Sequence, residues 1–388
     1  MNIGLIYRIL VLPLKLLVFV SSFIIPRRND LVVCTAGPEG RFAENPKYVY
    51  LDLLEDNAYD PIWLSRDSRT AAQLREHDLP TETTGTLAGW LVLLRAGTVV
   101  VSHDYHWPFL GGATIIQTHH GNPLKKTGLD IFEGRRMFWD LESFFIRNWD
   151  VFTVTGSKAP KEKFLSAYDG LDDNIAVTGY PRTDVFYRDI PFSHLDGTTE
   201  HASWQSFFSD NRCILYMPTW RRGIYGADGE SFDEHGLNFE EIRDFCEEYD
   251  VAFVLKLHPS ESINVESIEN VHLLPSDVDV YDLLSDTEIL VTDYSSVYFD
   301  FLLVDNPVVF YPYDLESYRE TRGLYFSYNE VTPGPSAQST TELLSNLGSV
   351  LEGKTDYKEE RAEIKDRFYD HDDGRSSYRV RTIINEYT

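Results

Sequence analysis

Along its 388 residues the chain keeps setting short apolar runs, each closed by a turn, against longer stretches in which apolar residues recur at helical spacing. LVVCTAG (31–37), PIWLS (61–65), TVVVSH (98–103), ATIIQTH (113–119), DVFTVTG (150–156) and NIAVTGY (174–180) read as strands buried on both faces. TAAQLREH and KAPKEKFLSAY are among the helical stretches between them. The polar segment SHLDGTTEHASWQ (193–205) breaks the pattern and marks a boundary. The alternation then resumes with CILYMPT (213–219), VAFVLKLHP (251–259), VHLLP (271–275), EILVTDYSS (288–296) and PVVFYPY (307–313). Helical stretches around KEERAEIKDRFY and SSYRVRTIINEY close the chain. Two successive β/α/β domains, 29–192 and 206–370, with a cleft between them and a C-terminal helix over 371–388, are the expected architecture.

Residues 1–28 stand apart. GLIYRILVLPLKLLVFVSSFIIPRR is apolar but is broken by Arg8, Pro13 and Lys15 and closed by Arg27 and Arg28. A bilayer span needs about 20 clean apolar residues, which two charges and a proline spoil. No small-residue cleavage site follows, so the reading is an interfacial helix over residues 4–25. Its apolar side would lie in lipid and its basic residues near anionic headgroups. A spanning helix and a helix buried in the protein are the other two readings.

The formal net charge is −27, from 62 acidic and 35 basic residues, and the basic set is 24 Arg to 11 Lys. Such a surface repels phosphate backbones, which excludes nucleic acid as a partner. It fits either a salt-adapted surface or an ordinary acidic cytosolic enzyme. The three cysteines, Cys34, Cys213 and Cys246, offer neither a disulfide framework nor zinc spacing, as befits a reducing compartment.

In open α/β sheets ligands bind beyond the carboxyl ends of the strands, and the unusual polar residues of this chain gather there. THHGNPLKK (118–126) follows a strand; its Gly121-Asn122 turn would project His120 into the cleft with Lys125 and Lys126 behind it. Histidine suits general-base work near neutral pH, the competing reading being a hydrogen-bonded surface or core residue. VTGYPRTD (177–184) would expose Arg182 and Asp184, either at the site or as a structural pair. YMPTWRR (216–222) places Thr219, Arg221 and Arg222 at the rim, where arginine matches phosphate geometry or simply forms a solvated charge pair. LKLHP sets Lys256 and His258 on one side of a strand. In VTDYSSVYFDFLLVD (291–305), Ser295 and Ser296 would start an amphipathic helix, where free N–H groups favour an anion and also permit plain capping. Together these describe a diphosphate site without a Walker loop; HExxH, CxxC and GxSxG are all absent from the sequence. No carboxylates show metal-ligand spacing, no cofactor is firmly expected beyond the substrates, and a divalent ion that assists stays open.

The ordered set HGxPLK, GYPRxD, PTWR, HP, TDYSSVxFDF, FYPYDLExYR and RGxYF resembles the CDP-glycerol glycerophosphotransferases, the teichoic-acid primases and polymerases of the Tag type. RFAENPKYVYLDL and DDGRSSYRV extend the likeness toward both ends. The resemblance implies a GT-B fold of two Rossmann-like domains, with the nucleotide held mainly by the second. It implies transfer of a polyol phosphate from a CDP-polyol to a hydroxyl of a lipid-linked acceptor at the cytosolic membrane face, releasing CMP. By motif, His120 would be the base and His258 would contact the donor diphosphate with Ser295 and Ser296. Thr219, Arg221, Arg182 and Asp293 fall on the donor side, and Lys125, Asp184 and Asn122 on the acceptor or supporting side. Asn122, His119 and Thr183 depart from the residues usual in the family. Two other readings stay open: a GT-B glycosyltransferase using a nucleotide sugar, and a catalytically idle module that binds an anionic polymer on the membrane.

Overall fold

The computed structural model describes residues 3–37, 40–103, 109–131, 149–168, 171, 173–220, 236–258, 261, 263, 265 and 268–387. Two parallel sheets form its frame. The first holds β1 (Arg28–Thr35), β2 (Asp60–Ser65), β3 (Thr81–Thr83), β4 (Ala96–Val101), β5 (Thr114–Gln117), β6 (Val151–Val154) and β7 (Ile175–Val177), in the order β3-β2-β1-β4-β5-β6-β7. The second holds β8 (Cys213–Met217), β9 (Ala252–Lys256), β10 (Val271–Leu274), β11 (Thr287–Thr292) and β12 (Val308–Phe310), in the order β10-β9-β8-β11-β12. Every strand read from the sequence is present. β3 was not foreseen, because Thr-Glu-Thr carries no apolar signal and owes its conformation to pairing with β2.

Strand side chains alternate between faces, and both faces of each sheet are covered. Val32, Cys34 and Val100 pack with Tyr48 and Leu51 of the helix Glu44–Leu54 on one face of the first sheet. Val33, Val99 and Val101 pack with Leu93 and Phe164 on the other. In the second sheet Ile214, Tyr216 and Val291 meet Ile242, Phe245 and Leu343. Cys213, Leu215 and Leu290 meet Tyr298, Phe301 and Phe368 on the opposite face.

The last helix returns to the first sheet. Val380 and Ile384 of the helix Ser376–Tyr387 are buried with Val32 and Tyr48, although the chain has by then built the whole second sheet. Asp184 anchors that helix: its carboxylate accepts the backbone N–H groups of Ser376 and Ser377, each at 2.8 Å. Asp184 is fully buried, so the exposure expected for it is not found.

The N-terminal helix spans Ile3–Ser22 with Pro13 inside it. Among the described residues no helix is long and apolar enough to cross a membrane. Arg27 does not face outward as expected. Its guanidinium donates to the carbonyls of Leu93 (2.7 Å), Ala96 (3.2 Å), Phe109 (3.0 Å) and Gly111, fastening the end of the N-terminal segment to the helix Leu87–Arg95 and the loop before β5.

Candidate active site

Both sheets reverse strand order at their first strand, β1 beside β4 and β8 beside β11, and the crevice at such a switch point is where an open α/β sheet binds its ligand. At the first switch point a carboxylate bridges the two strand ends. Glu44, after β1, accepts the Ser102 hydroxyl and lies 3.5 Å from His103 Nδ1, both just after β4. Glu44 holds a left-handed backbone, φ 61°. Burial alone would raise its pKa, but His103, His120 and the Ser102 hydroxyl outweigh that and hold it down to about 2, so it is a fixed anion.

At the second switch point the pattern recurs. Asp293, after β11, accepts the backbone N–H of Thr219, after β8, at 2.8 Å and that of Tyr294. Asp293 is fully buried. Its place in the geometry is to tie two strand ends together.

His120 is open to solvent at the end of the β5 loop, its ring stacked between His103 (centroids 4.5 Å apart) and His119 (4.3 Å). His119 is the residue that turns the chain, with φ 54°, and its Nδ1 pairs with the Gly121 carbonyl at 3.1 Å. The surrounding protein and the neighbouring His103 push the His120 pKa down to about 4, against the pull of Glu44. The imidazole is therefore neutral at physiological pH and able to take a proton.

Gly121 serves a different purpose from the turn expected of it. A β-carbon there would lie 2.2 Å from the Ser296 hydroxyl oxygen and 3.0 Å from its Cβ, so glycine lets the His120 loop touch the serine turn of the second sheet without displacing that side chain. The helix that follows, Val297–Phe301, is a little over one turn, much shorter than the amphipathic helix expected. Ser296 makes no capping bond, and the Ser295 hydroxyl lies 3.5 Å from the Val297 N–H. Both serines are half-buried.

Arg182 is buried, not exposed as expected. Its Nε donates to Asp300 at 3.0 Å and its Nη1 to the His120 carbonyl at 2.8 Å. Asp300 also accepts the hydroxyls of Tyr281 (2.7 Å) and Tyr369 (2.6 Å). Asn122 donates to the Tyr369 hydroxyl at 3.0 Å and accepts from Thr155 at 2.6 Å. Asn45, from the same motif as Glu44, donates to the carbonyls of Thr118 and His119, both at 3.0 Å. Arg182 and Asn122 thus belong to one buried network that fixes the backbone under His120. Lys125 pairs with Leu324 across an antiparallel bridge, joining this loop to the RGLYF motif.

His258, after β9, is half-buried and stacks on Trp220 at 4.1 Å between ring centroids. It stands two strands from the serine turn, roughly 10 Å by sheet spacing. Lys256 donates to the carbonyls of Pro275 and Val278, each at 2.6 Å, and burial pushes its pKa down to about 7. Arg221 and Arg222 lie outside the described residues. Among the described residues no group of three or more His, Cys, Asp or Glu could hold a metal ion. Sequence reasoning did not single out Glu44 and His103. The strand-end rule would have found His103, since it closes TVVVSH.

Parallel sheets with polar side chains gathered at their switch points define an α/β enzyme that binds its ligand beyond the strand ends. Across residues 17–386 the sequence matches the CDP-Glycerol:Poly(glycerophosphate) glycerophosphotransferase family, and the chain belongs to it. It is an enzyme of the CDP-glycerol glycerophosphotransferase type. It is 28% identical to the teichoic acid glycerol-phosphate transferase of Staphylococcus aureus, over 88% of this chain and 89% of that one. Identity to the teichoic acid poly(glycerol phosphate) polymerase of Bacillus spizizenii is also 28%, over 96% of each chain. Among solved structures the fold is similar to the wall teichoic acid polymerase TagF, with a TM-score of 0.74 at 23% identity over 98% of this chain and 95% of that one. It is more distantly similar to the UDP-GlcNAc 2-epimerase of Neisseria meningitidis, with a TM-score of 0.54 at 16% identity over 92% and 99%.

Proposed function

We propose that this chain moves a polyol phosphate, glycerol phosphate in the first place, from a CDP-polyol to a hydroxyl of a lipid-linked acceptor at the cytosolic membrane face. The observation that carries this reading is the contact of Gly121 with Ser296, which joins the His120 loop of the first sheet to the serine turn of the second. In the GT-B reading each sheet is the core of one domain, 29–192 and 206–370, and this point lies in the cleft between them.

The acceptor oxygen attacks the phosphorus that carries the polyol. The new O–P bond forms, the bridging P–O bond breaks, CMP departs, and the acceptor proton passes to a ring nitrogen of His120. Ser295, Ser296 and His258 would face the diphosphate and stabilise charge as it moves onto CMP. A diphosphate beside the His120 ring would act in the same direction as Glu44 and raise its pKa from about 4 toward the working range.

The membrane reading rests on apolar surface. Leu14, Leu17, Val20, Phe23 and Ile24 are exposed along the N-terminal segment, and Leu87, Trp90 and Leu91 on the helix Leu87–Arg95. Arg27 fastens the two together. Exposed apolar side chains on two elements fastened together in this way favour an interface over water.

The test is CMP release in high salt from CDP-glycerol and CDP-ribitol, with UDP-sugars as controls and lipid extract as acceptor. Loss of a general base costs roughly 10²–10⁴-fold in rate, so His120→Ala should lose that much CMP release with its fold intact. Release of UDP from a sugar donor, with no CMP from any CDP-polyol, would mean that the cleft serves glycosyl transfer instead.

A further inference from the structure

Two of the stacked histidines at the first crevice sit in different electrical surroundings. His103 and His120 lie face to face, their centroids 4.5 Å apart and their planes 10° from parallel. Two positive rings at that distance repel, so a proton available to the pair goes to the ring whose surroundings favour it. Titratable neighbours pushed apart in this way mark separate acid and base roles.

The hydrogen bonds single out His103. The Ser102 hydroxyl has one hydrogen and donates it to the Glu44 carboxylate. The same oxygen accepts the backbone N–H of Gly37 at 3.3 Å. At its 3.1 Å contact with His103 Nδ1 it must accept again, so Nδ1 carries a hydrogen. Glu44 Oε2 stands 3.5 Å from that nitrogen, and an anion so close favours a second proton on the ring. Glu44 acts on His120 only at longer range, and a ring nitrogen of His120 has the Ser102 carbonyl as its partner.

Among the described residues, the other titratable and charged groups around the pair leave this balance in place. Arg182, in the turn Pro181–Phe186, is matched by Asp300. His119 is buried with its Nδ1 on the Gly121 carbonyl, and burial pushes its pKa well down, so it adds no charge.

We propose that Glu44 and Ser102 hold a proton on His103, and that His103 is the positioning residue that keeps the stacked His120 free of one until the acceptor hydroxyl supplies it. This deepens the phosphotransfer reading above and rests on it. As the acceptor oxygen bonds to phosphorus, its proton passes to the free ring nitrogen of His120, and the bound phosphates offset the second charge on the pair. When CMP leaves, that compensation goes with it. The two stacked cations then repel, and His120 gives its proton to water, so the site ends the cycle with the protons it began with.

The test uses the full chain with ring-nitrogen-labelled histidine and reads two things: the NMR titration of each imidazole, and the pH dependence of kcat/KM for CMP release from CDP-glycerol. In His103→Gln the His120 midpoint should rise from about 4 toward the ordinary histidine range. The wild-type-to-variant ratio of kcat/KM should then be about tenfold larger at pH 5 than at pH 8. His103→Phe keeps a stacked ring without the charge and should behave in the same way. At about pH 7 the His103 ring should show both nitrogens protonated in wild type and only one in Glu44→Gln.

A fall in kcat/KM by one factor at every pH would leave His103 a structural role and overturn the proposal. So would a His120 midpoint that stays in place in both His103 variants. An acid limb that moves in His103→Gln but not in His103→Phe would assign the effect to stacking and overturn it too. If wild type releases no CMP, the phosphotransfer reading falls and the role of His120 as base with it; if CMP is released but the midpoints do not move, this inference falls alone.

Discussion

Gly121 and Ser296, 175 residues apart in the chain, are packed so closely that a β-carbon on the glycine would stand 2.2 Å from the serine oxygen. Gly121→Ala must therefore turn the Ser296 hydroxyl aside or push the His120 loop away from the serine turn. A shift of about 1 Å can cost roughly 10²-fold in rate. The expected outcome is a kcat reduced by about that factor with Tm lowered only slightly. An active variant with normal kcat would show that the two loops need not touch during turnover.

The Arg182–Asp300 pair lies beneath the same loop, both residues buried. Breaking a buried pair strands a charge and costs about 3–5 kcal/mol. Arg182→Ala should lower unfolding stability in urea by that much and reduce kcat, because the His120 carbonyl loses its donor. Arg182→Lys should not restore either, since an ammonium cannot serve Asp300 and the carbonyl through one planar fork.

His201 gives the stability a pH dependence. Its folded pKa of about 9 stands above the unfolded value near 6.5, so its contribution is complete below about pH 6.5 and is lost as pH rises through 9. Asp196, held down to about 2, contributes above about pH 4 and loses that contribution as pH falls toward 2. The His201 contribution should decline from pH 6.5 to 9 by an amount on the order of 3 kcal/mol, read as the difference between wild type and His201→Gln in thermal unfolding, because Lys256, with its pKa pushed down to about 7, acts in the opposite direction over the same range.

Leu17, 64% exposed, and Leu91, 58% exposed, test the membrane face from its two halves. Replacing either with Glu should weaken binding to vesicles of anionic lipid about tenfold or more, since burying one leucine contributes about 1.5–3 kcal/mol. Flotation measured in high salt separates this from electrostatic attraction. If only Leu17→Glu has an effect, the second helix lies away from the lipid.

The fold was legible in the sequence because parallel strands buried on both faces leave unbroken apolar runs that few other structures tolerate, such as Leu31, Val32, Val33 and Cys34 in β1. The strand-end positions of the candidate site were legible for a related reason: a turn of Gly, His or Ser closes such a run, and His120, His258, Ser295 and Ser296 all follow strand ends in the structure.

What a side chain does once it is at the site was decided by tertiary contact. Arg182 and Asp184 share a motif in which both look exposed. One is turned onto Asp300 and the other onto the N–H groups of Ser376 and Ser377, partners more than a hundred residues away. Glu44 reads as an ordinary helix-start acid until β1 and β4 lie side by side and bring it to His103. Local sequence thus determined the strands, their turns and the inventory of reactive groups, because periodicity and turn chemistry act over a few residues. Burial, pairing and protonation act through space, and only the packing of the two sheets could set them.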